Sequence, residues 1–400
     1  MVKWKECRLG DLIEEIAMGP FGSNIKVECF VDKGVPVLNG SNLQGFRLNE
    51  VTFNYVTHEK ADSLGRANAF KGDVVITHRG TLGQIIYIPE DSKYERYVIS
   101  QSQFRVRFKK EIDPQFIVYF FHTRVGQHLL LTNASQVGVP AIARPSTSFK
   151  ELKATVPPFA EQKKIAGILS ALDEKIETNR KINARLEELA QAIFKSWFID
   201  FEPFGGKMPT DWELKSLSGI ANYLNGLAMQ KYSPINNHDK LPVLKIKELG
   251  EGRINDNSDF CSKANIGSDY IIENGDIIFS WSGTLLVKIW TGGKCGLNQH
   301  LFKVTSNQYP KWFYYFWTLH HNAEFKRIAK DKAVTMGHIK REELDKALVS
   351  VPPLDIMHRI SGIMDPIFNQ LISTNLESAR LSALRDTLLP KLMSGELTPE

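Results

Sequence analysis

Apolar residues recur at alternating three- and four-residue intervals through the middle of the chain, and this pattern predicts one long helix. The stretch runs from Val156 to Phe201 and reads VPPFAEQKKIAGILSALDEKIETNRKINARLEELAQAIFKSWFIDF. Its periodic positions are Leu169, Leu172, Ile176, Asn179, Asn183, Leu186, Ala190, Ile193 and Trp197. This spacing is typical of the a/d seam of a coiled coil, and Glu, Lys and Arg flank it. A helix of roughly 36 to 40 residues is about 55 to 60 Å long, at about 1.5 Å per residue.

The C-terminal stretch from Val351 to Leu397 repeats this pattern without a gap. Its seam positions are Met364, Ile367, Leu371, Thr374, Ser378, Leu381, Arg385, Leu388 and Leu392. Thr374 and Ser378 take the places of Asn179 and Asn183, and a polar pair in an apolar seam fixes register at a cost in stability. Pro366 predicts a kink or a break in the second helix. The common spacing favours two copies of one element that pack together as an antiparallel coiled coil. Two unrelated helices, each packing on its own domain, are the alternative.

The segments that precede the two helices also repeat each other. KGDVVITHRGTLGQIIYI at 71–88 is matched by NGDIIFSWSGTLLVKIW at 274–290, and both read as two strands joined by a Gly turn. DPQFIVYFFHT and YPKWFYYFWT read as helices whose aromatic side chains lie in the core. The prediction is an α+β fold with α/β-type domains and a twisted, mostly antiparallel sheet. Tandem duplication divides the chain at 1–155, 156–201, 202–350 and 351–400 and implies pseudo-twofold symmetry.

Net charge, cysteine spacing and the lengths of apolar runs limit the kinds of protein that this sequence can encode. The formal charge of +5 permits nucleic-acid binding without arguing for it. The four cysteines, Cys7, Cys29, Cys261 and Cys295, have no CxxC spacing, so they read as reduced, with no zinc site and a cytoplasmic location. No apolar run is long enough for a membrane span, and the N-terminus does not read as a signal peptide.

Catalytic motifs are absent from the sequence. An amino-methyltransferase needs Asn or Asp before Pro-Pro-Tyr/Phe to bind the target amine, whereas Val156 and Val351 precede the two Pro-Pro pairs. No GxxxxGK[ST] phosphate loop occurs, which argues against ATP chemistry in this chain. Asp200, Glu202 and Lys207 only faintly resemble a nuclease carboxylate–lysine set, because they lie in a linker.

The order of these segments resembles the specificity subunit of type I restriction-modification systems. The residues that carry the resemblance are VPPFAEQKKIAGILSALDEKIETN at 156–179, IFKSWFIDFEPF at 193–204, ITHRGTLGQIIYI at 76–88, FSWSGT at 279–284, GLNQHLFKV at 296–304, GPFGSNIK at 19–26 and LLPKLMSGEL at 388–397. They cover nearly the full length in the order of the family. One departure is LDIMHRISGI in the second helix, where the first has FAEQKKIAGI, and it leaves the partner contact at that end open.

The resemblance implies a non-catalytic subunit with two target-recognition domains and two helical spacer regions. It implies double-stranded DNA and two methyltransferase subunits as partners, with translocase-nuclease subunits joining through the methyltransferases. S-adenosylmethionine, ATP and Mg²⁺ are then bound by those partners, and the complex methylates adenine N6 or cleaves unmodified DNA. The two helices would then form a rod that acts as a ruler between the recognition domains. One turn of DNA is about 34 to 36 Å long, and a rod of this length can set that separation.

Polar turns are the candidate DNA contacts, since Arg and Lys suit guanine, Asn and Gln suit adenine, and Gly-rich turns suit phosphates. In the first domain they are Ser23, Asn24, Lys26, Asn39, Ser41, Asn42, His78, Arg79, Thr81, Gln101 and Gln103. In the second they are Gln230, Lys231, Lys245, Lys247, Trp281, Ser282, Thr284, Asn298, Gln299 and His300. Arg79 is the strongest candidate, because it follows an apolar strand beside a Gly turn. His78 and Arg79 match Trp281 and Ser282, and this difference predicts an asymmetric target.

Simpler interpretations stand beside these. Each polar residue also fits a solvated turn or a strand cap, and Gly22, Gly80 and Gly283 fit turns that need a positive φ. For the whole chain, an enzyme with an unrecognised site and an adaptor whose helices only bridge partners remain alternatives. Activity of the purified chain alone would favour the enzyme. Loss of sequence-specific binding without loss of assembly, after changes in the turns, would argue against the adaptor.

Overall fold

The computed structural model describes residues 4–135, 138–255, 257–331 and 338–399, with only the backbone placed at Ser23 and Asp331. The chain forms two compact units. Unit 1 comprises Met1–Glu174 with Ala383–Glu400, and unit 2 comprises Lys175–Ser382.

Unit 1 is built from short strands interrupted by short helices. In chain order its elements are β1 (Lys5–Arg8), α1 (Leu9–Leu12), β2 (Ile13–Met18), β3 (Val35–Val37), β4 (Asn54–Val56), α2 (His58–Ser63), β5 (Asn68–Phe70), β6 (Val74–Thr77), β7 (Ile85–Tyr87), β8 (Arg96–Val98), β9 (Gln103–Phe108), α3 (Pro114–His122), α4 (Arg124–Leu131), β10 (Ala134–Ser135), β11 (Ala141–Ile142), α5 (Pro145–Glu151) and β12 (Lys153–Val156). Two four-stranded sheets have the orders β2-β9-β6-β7 and β4-β3-β8-β5. Within them only the β3–β8 pair is parallel.

The long helix α6 (Phe159–Phe198) leads from unit 1 into unit 2. The further elements are β13 (Glu213–Ser216), α7 (Leu217–Ile220), β14 (Asn222–Asn225), β15 (Lys240–Leu244), α8 (Ile246–Glu251), β16 (Phe260–Ser262), β17 (Ile271–Ile272), β18 (Ile277–Ser280), β19 (Val287–Ile289), β20 (Cys295–Leu297), β21 (Leu301–Thr305), α9 (Lys311–Asp331), α10 (Glu342–Lys346), β22 (Leu348–Val351) and α11 (Leu354–Met393). The sheet orders β14-β21-β18-β19 and β16-β15-β20-β17 match those of unit 1 strand for strand. The repeated sequence therefore folds into a repeated topology, and the predicted α+β class is confirmed.

The repeated Gly-Asp pair is a turn that enters the central strand of each unit. Gly72 and Gly275 have φ of +83° and +89°, which side chains rarely adopt. Asp73 accepts a hydrogen bond from the Phe70 amide at 2.9 Å, and Asp276 accepts one from the Glu273 amide at 2.8 Å. The motif is therefore structural in both units.

The aromatic helices α3 and α9 lie in the cores, as the sequence predicts. Tyr119, Phe120, Phe121, Tyr314, Tyr315, Phe316 and Trp317 are all buried. Gly80 and Gly283 have the expected positive φ, at +91° and +64°. Gly22 does not require a positive φ. Its lack of a side chain matters instead because a Cβ there would lie 2.2 Å from Gln101 Oε1.

The long helices α6 and α11 contain 40 residues each and run antiparallel where they touch. In unit 2, Asn179 Nδ2 donates to Glu377 at 2.7 Å and Asn183 Nδ2 donates to Asn375 at 2.8 Å. In unit 1, Arg385 Nη1 donates to Asp173 at 2.7 Å. The predicted break at Pro366 is wrong, because α11 continues through it.

The predicted seam positions lie on the inner side of these helices. Leu169, Asn179, Asn183, Leu371 and Thr374 are buried, and Leu172, Ile176, Leu186, Ile193, Ile367, Ser378, Leu381 and Leu388 are half-buried. Thr374 donates to the Gln370 carbonyl at 2.8 Å, and Ser378 donates to the Thr374 carbonyl at 3.0 Å. These hydroxyls are thus satisfied within their own helix.

Candidate nucleic-acid interface

In unit 1 the four polar loops meet at one end of the sheets. They follow β2, β3 and β6 and precede β9, and hydrogen bonds connect them. His78 Nε2 lies 3.2 Å from the Gln101 carbonyl oxygen, and Gln84 donates to the Gly40 carbonyl at 2.9 Å. The loops after β2 and before β9 approach so closely at Gly22 that only glycine leaves Gln101 in place. The four polar loops thus form one surface.

Most of the predicted residues on this surface are accessible. Asn24, Lys26, Asn39, Arg79, Thr81 and Gln101 are exposed, and Ser41 and His78 are half-buried. The Ser23 side chain lies outside the described residues. Burial lowers the pKa of His78, with the Arg79 charge acting in the same direction and two hydrogen bonds opposing it. Neutral His78 is therefore favoured near neutral pH.

Two predicted DNA contacts in unit 1 require correction. Asn42 is fully buried, accepts from the Asn39 amide at 2.9 Å and donates to the Asn49 carbonyl at 2.9 Å. Gln103 is also fully buried, and its Oε1 accepts from the Ser100 amide at 2.9 Å. These amides hold the loops in shape and are not available to DNA.

The loop that carries Arg79 is held by the segment 140–144, which contains none of the predicted contact residues. Gly80 donates to the Pro140 carbonyl at 2.8 Å, and Ile142 donates to the His78 carbonyl at 2.8 Å. The backbone of Arg79 is thereby fixed while its side chain stays exposed. The same segment ends at Arg144, an exposed residue with φ of +44°. In the sequence, the pair Arg144-Pro145 could have marked this segment. No periodicity, however, linked the segment to the loop of Arg79.

Unit 2 brings its own predicted loops together at the equivalent end. Trp281 Nε1 donates to Asn225 Oδ1 at 2.9 Å, and the Asn298 amide donates to the Leu244 carbonyl at 3.3 Å. Gln230, Lys231, Lys247, Thr284 and His300 are exposed, and Lys245, Trp281 and Gln299 are half-buried. Lys245 also pairs with Asp259.

Two predicted contacts in unit 2 also require correction. Ser282 is 6% exposed, and its hydroxyl lies 3.3 Å from His300 Nδ1. Asn298 is 7% exposed, and its Oδ1 accepts from the His300 amide at 3.3 Å. Both side chains shape the loop that presents His300.

The two surfaces share a backbone and differ in side chains. Arg79 forms an isolated bridge with Ala141, and Ser282 forms one with His338. Each stands directly before a glycine of positive φ. Arg79 therefore occupies the place of Ser282, and a long exposed cation in unit 1 corresponds to a short buried hydroxyl in unit 2.

Comparison with known proteins identifies the class to which this fold and these surfaces belong. The family model for the type I restriction modification DNA specificity domain matches residues 1–188 and 209–381. The chain therefore belongs to this family, and the resemblance noted in the sequence is confirmed. It is a DNA specificity subunit of a type I restriction-modification system, and this family of subunits is non-catalytic.

Individual relatives agree with this assignment. The MjaIX specificity subunit of Methanocaldococcus jannaschii is 27% identical over 82% of this chain and 78% of the relative. The HindI specificity subunit of Haemophilus influenzae is 23% identical over 99% of this chain and 100% of the relative. The crystal structure of an S subunit from M. genitalium superimposes with a TM-score of 0.60 at 17% identity, covering 100% of this chain and 97% of that one, which shows a common fold.

No helix within 4–135, 138–255, 257–331 and 338–399 is long and apolar enough to cross a membrane. Across those same ranges, no group of three or more His, Cys, Asp or Glu side chains is arranged to hold a metal ion.

Proposed function

We propose that this chain reads a split, asymmetric DNA site, one half with the loops of each recognition domain. The recognition domains are residues 1–155 and 202–350, and the spacer helices lie in 156–201 and 351–400. The observation that carries the proposal is the repeated sheet order, with polar loops at the equivalent end of both units and different exposed side chains at matched places. Two equal surfaces would read a palindrome, whereas these two differ.

The contacts to DNA come from the accessible side chains of the loops. In unit 1 we assign Asn24, Lys26, Asn39, Ser41, His78, Arg79, Thr81 and Gln101. In unit 2 we assign Gln230, Lys231, Lys245, Lys247, Trp281, Thr284, Gln299 and His300. Cations position the chain on phosphates, and amides and Arg79 read base edges.

The long helices set the spacer and hold two methyltransferase subunits, through which the translocase-nuclease subunits join. We assign S-adenosylmethionine, ATP and Mg²⁺ to those partners in the cytoplasm, because this sequence lacks the motifs that would bind the target amine or ATP phosphates. Each helix of 40 residues is about 60 Å long, which is enough to span more than one turn of DNA.

A methylation map tests the proposal. The chain is co-expressed with the methyltransferase subunit encoded beside it, and the host DNA is sequenced for N6-methyladenine. We expect one split, asymmetric motif with a fixed spacer. No modified motif from a complex shown to be intact would favour the adaptor alternative instead.

A matched insertion tests the ruler. Seven residues, two helical turns that keep the heptad, are inserted into both α6 and α11 beside the polar seam positions Asn183 and Thr374. We expect both half-sites to stay the same while the spacer lengthens. An unchanged spacer in a complex that still methylates would contradict the ruler. Insertion into one helix only is the control, because it breaks the register.

The substitution Arg79→Ala tests base reading in unit 1. We expect the half-site read by unit 1 to relax, with a loss of about 1 to 3 kcal/mol in binding if the guanidinium contacts a guanine in bidentate fashion. Binding to all single-base variants of the site is the measurement. Arg8→Ala is the control, because Arg8 is an exposed arginine on β1, outside the loops. Unchanged specificity would remove Arg79 from the site.

A further inference from the structure

A cavity of about 180 Å³ opens among the loops of unit 1. It is lined by Phe21, Gly22, Ile25, Phe30, Asn39 and Gln101, among others. The volume corresponds to about six water molecules at ~30 Å³ each, well below the ~300 Å³ at which sites for drug-sized ligands begin. This size suits one planar heterocycle.

The lining combines an apolar floor with a polar rim. Val37 and Leu38 are buried beneath the cavity, and Ile25 and Phe30 are half-buried beside it. Asn54 and Gln101 are exposed at the rim, and neither side-chain amide makes a hydrogen bond to any other residue in the described part of the chain. A base has apolar faces and an edge of donors and acceptors, which free carboxamides match.

Phe21 lies at this cavity and is exposed to an unusual degree. The residue is 83% exposed, more than any other large hydrophobic residue in the described ranges. The turn that carries it is anchored, because the Gly19 amide donates to the Gln103 carbonyl at 2.8 Å. Aromatic side chains presented to DNA stack on bases or wedge between base steps.

In unit 2 a side chain occupies the space that is equivalent to the cavity. Gly19 and Gly226 are matched, because a Cβ at either would collide with the backbone of the facing loop, at Ser100 and Asn298 respectively. Phe21 then corresponds to Ala228, and Gly22 corresponds to Met229. Met229 is 2% exposed and packs with Val243, the counterpart of Val37 on the cavity floor. One unit thus keeps an open cavity where the other holds a methionine side chain.

We propose that the cavity in unit 1 receives one base unstacked from the bound DNA, while Phe21 occupies the vacated place in the stack. This inference rests on the proposed function, because it needs the loops of unit 1 to face DNA. Unstacking a base is unfavourable, and contacts in the cavity and the ring of Phe21 would offset this cost. The half-site read by unit 2 has no such event, because Met229 and Ala228 replace the cavity and the ring.

The test is a scan with 2-aminopurine, whose fluorescence rises severalfold when it leaves the stack. The probe is placed at each position of the mapped site in turn, and the complex with methyltransferase subunits is added. We expect a rise at one position in the half-site of unit 1 with no counterpart in the other half. Adenines extruded by the methyltransferases would instead give signals in both half-sites.

Two variants assign the signal. Gly22→Met fills the cavity as Met229 does, and its Cβ also displaces the side-chain amide of Gln101 at the rim. Phe21→Ala removes the ring. Both should abolish the signal of unit 1 and leave the signals of the methyltransferases unchanged. Ile235→Ala, a change at a residue of unit 2 that is 72% exposed, is the control and should leave every signal as it was.

The outcomes separate this inference from the proposed function. Wild-type complex that binds and methylates its split site without a signal specific to unit 1 would overturn the inference and leave the proposed function standing. A signal that persists unchanged in both variants, with binding retained, would also overturn it. If the wild-type complex binds no split site, the proposed function itself fails.

Discussion

The two units attach their aromatic helices to the long helices in different ways. In unit 1 the junction is polar. Tyr119 of α3 donates to Asp173 of α6 at 2.5 Å, and Arg385 of α11 donates to the other oxygen of Asp173 at 2.7 Å. The guanidinium of Arg385 also lies 4.8 Å from the centre of the Phe46 ring. Burial, with the charge of Asp173 second, raises the pKa of Tyr119 and keeps its hydroxyl a donor.

In unit 2 the same places are apolar. Tyr315 corresponds to Tyr119, Phe368 to Asp173 and Ala190 to Arg385. The rings of Tyr315 and Phe368 meet edge to face with centres 5.4 Å apart, and all three residues are buried. The start of the helices differs in the same sense. Buried Gln162 accepts from the Asp113 amide at 2.9 Å, and its counterpart is buried Met357.

The comparison teaches that one scaffold accepts both kinds of junction, with different consequences. The stability that an apolar contact contributes depends on its buried area, and neighbouring side chains can adjust to a change. A buried ion pair loses the most stability when only one of its two partners is removed. The comparison also concerns the start of the second helix, where LDIMHRISGI replaces the FAEQKKIAGI of the first helix. The glutamine missing there is used inside unit 1, so its absence removes an internal hydrogen bond and says nothing about a partner.

The largest effect is expected from Phe368→Ala. It should lower the free energy of unfolding of unit 2 by about 4 kcal/mol, because a buried aromatic side chain leaves a cavity. Tryptophan fluorescence during denaturation reports on unit 2, where Trp197, Trp212, Trp281, Trp290, Trp312 and Trp317 lie. Ile363→Ala, at a residue of the same helix that is 45% exposed, is the control. Equal losses in the two variants would mean that the apolar junction does not hold unit 2.

Asp173→Ala should cost somewhat less, about 3 kcal/mol, in unit 1. The change leaves Arg385 without its main carboxylate partner and Tyr119 without its acceptor, although both charged side chains are 15% exposed. Hydrogen exchange of the α3 amides measures the opening free energy of unit 1. The double variant Asp173→Leu with Arg385→Leu should recover part of the loss, because it converts the junction to the apolar kind. A double variant as unstable as the sum of both single ones would show that the residues do not act as a pair.

Sequence patterns predicted the features that depend on short-range periodicity. The seam of α6, the Gly-Asp turns and the aromatic core helices are each determined by residues close together in sequence, so local spacing is enough. Arg385 was visible as a charged residue in an apolar seam. Its partners outside its own helix were not, because Asp173 and Phe46 lie far away in sequence and nothing local pairs them with it.

In the polar loops, the local sequence does not predict which side chains are exposed. Asn39, Asn42, Gln101 and Gln103 have the same polar character in the sequence, yet one of each pair is exposed and the other fully buried. Which of them faces inward depends on where the loop backbone needs a donor or an acceptor, and that is a property of the folded turn. Phe21 was overlooked for the converse reason, since an isolated aromatic residue in a Gly-rich loop normally predicts a buried anchor.

The smallest predicted effect is a pH dependence of stability that arises from His122 and affects only the polar junction of unit 1. Its Nε2 lies 2.9 Å from the Ile85 carbonyl oxygen, and its ring centre lies 4.3 Å from that of Phe46. Burial lowers its pKa from the ordinary 6.5, the bond to Ile85 opposes this, and the charge of Arg385 lowers it further. Below pH 6.5 the unfolded chain therefore takes up a proton more readily than the folded one. The contribution of neutral His122 to stability is present above pH 6.5 and is lost as the pH falls through the folded pKa.

The counterpart of His122 in unit 2 is Thr318, which does not titrate, although burial also lowers the pKa of His320 and His321 in that unit. The measurement must therefore be local. Protection factors of the α3 amides, corrected for intrinsic exchange, should fall from pH 7.5 to pH 5.5 in the wild type. In His122→Gln, which keeps a donor for Ile85, they should fall less. An equal fall in both proteins would place the acid sensitivity of unit 1 elsewhere, and the polar junction would then differ from the apolar one in its response to mutation but not to pH.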